Sequence, residues 1–224
     1  MNRKVALLGA AAAFAMTPFA AMAERGESGH LNLIYWQAPS IMNPYLSGGT
    51  KEQEASSIVL EPLARYNEDG ELVPWLVDSV PTVENGGVAA DLMSITWTLT
   101  EGLLWSDGTA VTSADVAFTA AYCMDPEGGC AQLRNFNGIE SVEVVDDLTV
   151  TVHFSAPTPV PYGPFVAASS PIIQAAQFAE CTGARAPECT DANFNPIGTG
   201  PFRVTDFRPN DVIQMEANPN YRDA

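Results

Sequence analysis

The chain has 224 residues, of which 46% are hydrophobic and 17% charged, the balance of a folded globular protein rather than a disordered one. Its 27 Asp and Glu against 10 Lys and Arg give a formal net charge of −17. A field of that sign repels phosphate backbones and anionic lipid head groups, so nucleic-acid binding is excluded as a function class.

The first residues read as an address. Arg3 and Lys4 form a positive n-region, Val5 to Met16 is apolar, and Ala21-Met22-Ala23 is a small-x-small cleavage site. Residues 1–23 are therefore expected to be a secretory signal peptide, cut after Ala23. A spanning helix needs ~20 apolar residues, and Thr17-Pro18 interrupts this run early. No Cys follows the cleavage site to carry a lipid anchor. A periplasmic protein with no membrane insertion after cleavage is the expectation.

Leu31 to Trp36 reads as the first strand of the mature chain, followed by an apolar, aromatic loop from Gln37 to Leu46 that contains Pro39 and Pro44. Thr50-x-x-Gln53 has capping-box spacing, which predicts a helix running through Leu60 and ended by Pro62. Leu63 to Tyr66 enters a turn at Asn67-Glu68-Asp69-Gly70, and Leu72 to Leu76 leaves it. Ser94 to Thr100 alternates, with Ile95, Trp97 and Leu99 on the buried face of a strand. Ser106-Asp107-Gly108 is turn chemistry, and Thr112-x-x-Asp115 is a capping box opening a helix that buries Val116, Phe118 and Ala121.

Gly138 to Phe154 predicts a hairpin turning at Asp146-Asp147, with Leu148, Val150, Val152 and Phe154 on one face of the return strand. His153 falls on the other face and reads as a surface histidine. Pro157, Pro159, Pro161 and Pro164 mark a crossing segment, and Pro171 is expected to open a helix through Phe178. In Gly198-Thr199-Gly200-Pro201-Phe202 the glycines permit a tight backbone path, and Pro201 leads into a strand. A phosphate loop is disfavoured, because no Lys follows and the order is loop then strand. Val212 to Ala217 is a further strand, and Asn218-Pro219-Asn220-Tyr221 follows it.

Four cysteines fall into two local pairs, Cys123 with Cys130 and Cys181 with Cys189. In an oxidising compartment two sequence-local disulfides are the natural expectation, although four Cys admit three pairings and sequence does not choose among them. A metal site is disfavoured: neither pair has zinc-knuckle spacing, and His30 and His153 lie far away in sequence.

Four of these stretches, in this order, resemble the family 5 extracytoplasmic solute-binding proteins of ABC importers. They are Glu61 to Ser79, Leu99 to Phe118, Gly198 to Phe202, and Asn218 to Tyr221. Thr100 stands where a basic residue is usual in that family. The resemblance implies a mixed α/β (α+β) fold, a type II periplasmic-binding-protein-like lobe with an inserted β-rich subdomain. Residues 24–66 and 190–224 would form the sheet portion of lobe I, and 67–189 the insertion. Family members are substantially longer, so the chain is expected to be an N-terminal fragment with the second lobe absent. The implied function is capture of a peptide or related small solute in the periplasm and delivery to ABC permease subunits with their ATPase. The resemblance further implies a monomer, with neither cofactor nor enzymatic activity.

Tyr35, Trp36, Met42, Asn43 and Tyr45 are the candidate solute contacts, since aromatic and amide groups at a strand's end supply flat apolar contact with directional hydrogen bonds. Trp75, Trp97 and Trp105 are expected to pack between elements. Two other function classes compete. Binding lobes are reused in periplasmic chaperones and signalling receptors. A secreted hydrolase has less behind it: the chain has no Gly-x-Ser-x-Gly, no His-Glu-x-x-His, and only two histidines.

Overall fold

The structure, a computed structural model, describes residues 29–223. The expected signal peptide lies outside the described residues. The chain divides into two units, one ending at Tyr35 and one beginning at Trp36. In the first, residues 29–35 carry no helix or strand, and Leu31, Leu33 and Ile34 are exposed. The strand expected over Leu31 to Trp36 is thus not formed. Alternating apolar residues supply a strand's face, but a strand exists only through its ladder to a neighbour.

The second unit is built on short strands. β1 (Ala64–Tyr66) and β2 (Leu72–Pro74) form a hairpin. Its turn is organised by the Asn67 Oδ1, which accepts from the backbone N–H of Asp69 and Glu71. β3 (Ser94–Thr98), β4 (Ile139–Val144) and β5 (Thr149–Phe154) make an antiparallel sheet in the order β3-β5-β4. Ile95, Trp97 and Leu99 are buried as their period-2 spacing requires, and so are Val150, Val152 and Phe154. His153 is half exposed on the other face, with Nε2 3.1 Å from Glu143 Oε2. β6 (Phe202–Arg208) and β7 (Val212–Ala217) form a third antiparallel pair.

The helix α2 (Ser113–Met124) packs against β4 and β5. Its capping box is present, with the Asp115 Oδ2 accepting from the Thr112 N–H at 2.9 Å. Asp115 is buried and also accepts from Trp105 Nε1 and, through Oδ1, from the Ala175 N–H at 2.8 Å. One carboxylate therefore caps a helix and ties it to two distant segments. Asp115→Ala is expected to lower unfolding free energy by about 2–3 kcal/mol, read by urea titration, because it strands buried donors as well as removing a cap.

Several local expectations are corrected. α2 buries Val116, Thr119, Ala120, Tyr122 and Cys123, while Ala121 is exposed and Phe118 only partly buried. The 3.6-residue period places the stripe on 116, 119, 120 and 123. α1 (Thr50–Ser56) starts with Gly49 rather than Thr50 at its N-cap and ends before Leu60. The following turn gives its Ile58 and Val59 carbonyls to Phe202 and Gly200 N–H groups, so the helix cannot continue through it. The helix expected from Pro171 is only α3 (Ala175–Phe178). The Ile172 and Ile173 N–H groups are spent outside it, on the Glu61 carbonyl and the Thr119 hydroxyl.

The main core joins all three strands β3–β5 with α2, and edge-on aromatic contacts run through it, Tyr45 to Phe136 to Phe165 and Tyr45 to Tyr122 to Phe178. A smaller core sets Met42, Ala55 and Val59 against Val204, Phe207, Ile213 and Met215 of β6 and β7. Both disulfides pair locally, Cys123 with Cys130 and Cys181 with Cys189. The second brackets a 3-10 turn, Gly183–Glu188, and leads into α4 (Thr190–Phe194), neither of which was foreseen. Replacing Cys123 and Cys130 together by Ala should cost about 2–3 kcal/mol by loop-closure entropy, measured as a lower urea midpoint than the oxidised parent.

Candidate functional site at a groove beside Trp75

Segments far apart in sequence meet at one junction. The Ser106 N–H donates to the Gly198 carbonyl at 2.9 Å, and the Asn220 side-chain amide donates to the Trp105 and Ser106 carbonyls. The Asn218 amide, buried, donates to the Gly200 carbonyl at 2.8 Å. Thr199 donates its hydroxyl to Glu61 Oε2 at 2.8 Å. Glu61 is the hub. Its buried carboxylate also accepts from Trp75 Nε1 at 2.7 Å and from both terminal nitrogens of Arg222, at 2.7 and 3.2 Å. Burial alone would lower the Arg222 pKa; the Glu61 carboxylate outweighs it and holds the guanidinium above its usual value.

Beside this hub lies a groove of 560 Å³, within the range of small-molecule sites. Glu61, Arg65, Tyr66, Trp75 and Tyr221 line it, with Ala167, Ala168 and Pro201 among its apolar walls. The Arg65 guanidinium lies over the Trp75 ring, 3.1 Å from its centroid, and Arg222 lies 4.9 Å from the same ring. Ala167 adopts a φ of 65°, costly for a residue with a Cβ, and its N–H donates to the Ala64 carbonyl of β1. The wall of the groove is thus held in an unfavourable conformation by its hydrogen bond to the strand that carries Arg65.

The residues singled out from sequence sit elsewhere. Met42, Asn43 and Tyr45 are fully buried. Met42 belongs to the smaller core and Tyr45 to the larger. Asn43 caps the 3-10 turn Pro44–Leu46, accepting from the Tyr45 N–H and donating to the Tyr122 hydroxyl and Asn193 Oδ1. Tyr45 donates its hydroxyl to the Pro171 carbonyl. Tyr35 ends the N-terminal unit with 38% of its surface exposed, and Trp36 opens the second unit with 67% exposed. Of the tryptophans expected to pack between elements, Trp97 and Trp105 are buried, whereas Trp75 is half-buried and forms a groove wall. The signal that could have found the groove was the coincidence of Arg65, Tyr66 and Trp75 around one hairpin turn.

The loop that carries Met42 and Asn43 is fastened to α1 by Glu52. Its buried Oε1 accepts from the Ser40 N–H and hydroxyl at 3.0 and 2.9 Å, and from Lys51 Nζ at 2.9 Å. Lys51 also donates to the Ala38 carbonyl. Burial would raise the Glu52 pKa, but these donors outweigh it and hold the group below its usual 4.5. A folded-state pKa below the unfolded one contributes stability that is complete above about 4.5 and lost as pH falls through the lowered value. Glu52→Gln should therefore flatten the fall of the urea midpoint with pH below about 4.5, relative to the parent.

Among the described residues no helix is long and apolar enough to cross a membrane, and no group of three or more His, Cys, Asp or Glu could hold a metal ion. Comparison with known proteins places these features. Protein XP55 of Streptomyces lividans is 28% identical over 184 residues, 82% of this chain and 31% of the relative. The oligopeptide-binding protein OppA of Bacillus subtilis is 26% identical over 200 residues, 83% of this chain and 34% of the relative. The chain thus spans about a third of the length of the curated relatives it matches. The solved structure of the binding protein AgaA from A. tumefaciens R10, in complex with agropinic acid, superposes with a TM-score of 0.69 at 27% identity. That match covers 83% of this chain and 35% of the other. The mixed helix-and-strand architecture of this chain is therefore that of part of a type II periplasmic binding protein. Residues 71–224, taking in β2, the three-stranded sheet, the Gly198 to Gly200 junction and the Tyr221 wall of the groove, match the model of the bacterial extracellular solute-binding proteins, family 5, and the chain belongs to that family.

Proposed function

We propose that the protein is the periplasmic substrate-binding component of an ABC importer, capturing peptides and handing them to membrane permease subunits driven by an ATPase. The observation that carries this reading is the family match over residues 71–224. The name of the B. subtilis relative, an oligopeptide-binding protein, supports peptides as the solute. AgaA, bound to agropinic acid, makes a non-peptide small solute the second reading. The protein acts by binding rather than by turnover, as a monomer, after export and removal of residues 1–23.

In the same reading, residues 24–66 and 190–224 supply the sheet portion of a first lobe and residues 67–189 its insertion. Solute binding shifts an open–closed equilibrium between this lobe and a second one, because a ligand moves that equilibrium only by contacting the closed form better. Tyr35 and Trp36 remain the sequence-derived contacts with exposed surface. The test is purification of the secreted protein from its host, followed by mass spectrometry of what co-purifies. Peptides displaceable by a synthetic peptide pool support the reading. An opine or sugar in their place would replace the solute class, and substrate turnover would overturn the binding role.

A further inference from the structure

We propose that the groove beside Trp75 is an anion subsite, taking the carboxylate of a small molecule whose flat apolar body lies against Trp75 and Tyr221, with Arg65 as the residue that holds the charge. The inference deepens the solute-binding reading and rests on it for the ligand being a small solute.

Charge is the first argument. This protein carries 27 acidic and 10 basic residues, so a basic side chain without an acidic partner is unusual in it. Of the seven Lys and Arg among the described residues, five are ion-paired: Lys51, Arg185, Arg203, Arg208 and Arg222. Arg65 and Arg134 are not; around Arg65, among the described residues, no carboxylate lies within ion-pair reach and no guanidinium N–H has a hydrogen-bond acceptor. The Arg65 guanidinium lies instead over the Trp75 ring. Stacking fixes the plane of the fork and leaves its N–H edge to meet both oxygens of one carboxylate.

Preorganisation is the second argument. Trp75 cannot swing away, because its indole N–H is engaged by the buried Glu61 carboxylate. Glu61 in turn is neutralised by Arg222. The one carboxylate in the groove is thus already satisfied and does not compete for Arg65. Tyr221 lies close enough to both guanidinium groups to feel their charge, and among the described residues its hydroxyl has no hydrogen-bond partner. It supplies a donor beside the same anion. The apolar remainder of the groove, from Ala167, Ala168 and Pro201, suits a hydrophobic body rather than a second charge.

The test compares N-acetylphenylalanine with N-acetylphenylalaninamide by titration calorimetry on the purified protein. The two share one body and differ in the charge. The acid should bind at least ~10-fold more tightly than the amide, and more weakly as salt is raised. Arg65→Met should abolish the preference for the acid, while Arg65→Lys, which keeps the charge and loses the fork, should retain part of it. Thermal melts by circular dichroism establish that both variants are folded, as an exposed position predicts. Equal binding of acid and amide, unchanged acid binding by Arg65→Met, or no acid binding up to about 10 mM would each overturn the subsite. A peptide pool titrated against the same proteins separates the two readings. Peptide binding indifferent to Arg65 leaves the transport reading standing and removes the subsite. Arg65-dependent acid binding without any peptide binding leaves the subsite standing and replaces peptides as the solute class.

Discussion

Glu61→Ala is expected to destabilise the protein by about 3 kcal/mol or more, read as the loss of unfolding free energy in urea titration at neutral pH. The expectation follows from what one carboxylate holds. Four donors from three segments converge on it: Trp75 Nε1, the Thr199 hydroxyl and two nitrogens of Arg222. Removing it leaves a largely buried guanidinium, at 21% side-chain exposure, without its counter-charge, and leaves an indole N–H and a hydroxyl unpaired. Removing one partner of a buried pair is costly because the other stays behind uncompensated, and each stranded donor adds its desolvation penalty. Glu61→Gln should lose less, about 2 kcal/mol, since the amide keeps an acceptor for Trp75 or Thr199 while losing the charge. A loss below about 1 kcal/mol for the Ala variant would show that the junction is held by its backbone bonds alone.

The same junction explains what sequence could and could not reveal. The strand over Ser94 to Thr98, the hairpin from Ile139 to Phe154 and the capping box at Thr112 and Asp115 are set by local periodicity and local hydrogen bonds, so they are legible residue by residue. The stretches that carry the family resemblance were legible as words but not as an arrangement. Trp105, Ser106, Gly198, Gly200, Asn218 and Asn220 meet through bonds spanning up to 115 residues of sequence, and no period encodes that. Fold class was readable because those words are the joints of the fold. The candidate site was less so. Asn43 and Tyr45 have the composition of a solute cleft, yet their polar atoms are spent on Tyr122, Asn193 and the Pro171 carbonyl. Residue type records what a side chain can bond, whereas its partner is decided by the fold. Trp75 shows the converse: the same aromatic chemistry that suggests core packing here faces a groove, because Glu61 anchors its N–H and Arg65 covers its ring.

Gly198→Ala should be among the most damaging single-methyl additions in the chain, costing about 3 kcal/mol or more and lowering soluble yield. The reason is space rather than backbone freedom. A Cβ at Gly198 would sit 1.9 Å from the Val59 carbonyl oxygen and 2.6 Å from its carbon. Both are backbone atoms of the turn after α1, and that turn cannot yield alone. Its Val59 carbonyl accepts from the Gly200 N–H at 2.8 Å, and its neighbour Ile58 from the Phe202 N–H. The opposite side of Gly198 is fixed too, since its carbonyl accepts from the Ser106 N–H. Pushing the glycine outward would therefore break the bond to Ser106, and pushing Val59 away would disturb the smaller core that Val59 shares with Met42. Gly70 provides the control. It has a φ of +78° with nothing within 4 Å of an added Cβ, so Ala there meets only the left-handed conformational penalty, about 1–2 kcal/mol. Urea titration of the two variants side by side separates the mechanisms. If Gly198→Ala costs no more than Gly70→Ala, the close packing of the Gly198 to Gly200 segment on the turn after α1 is not what holds the β6–β7 pair to the rest of the fold.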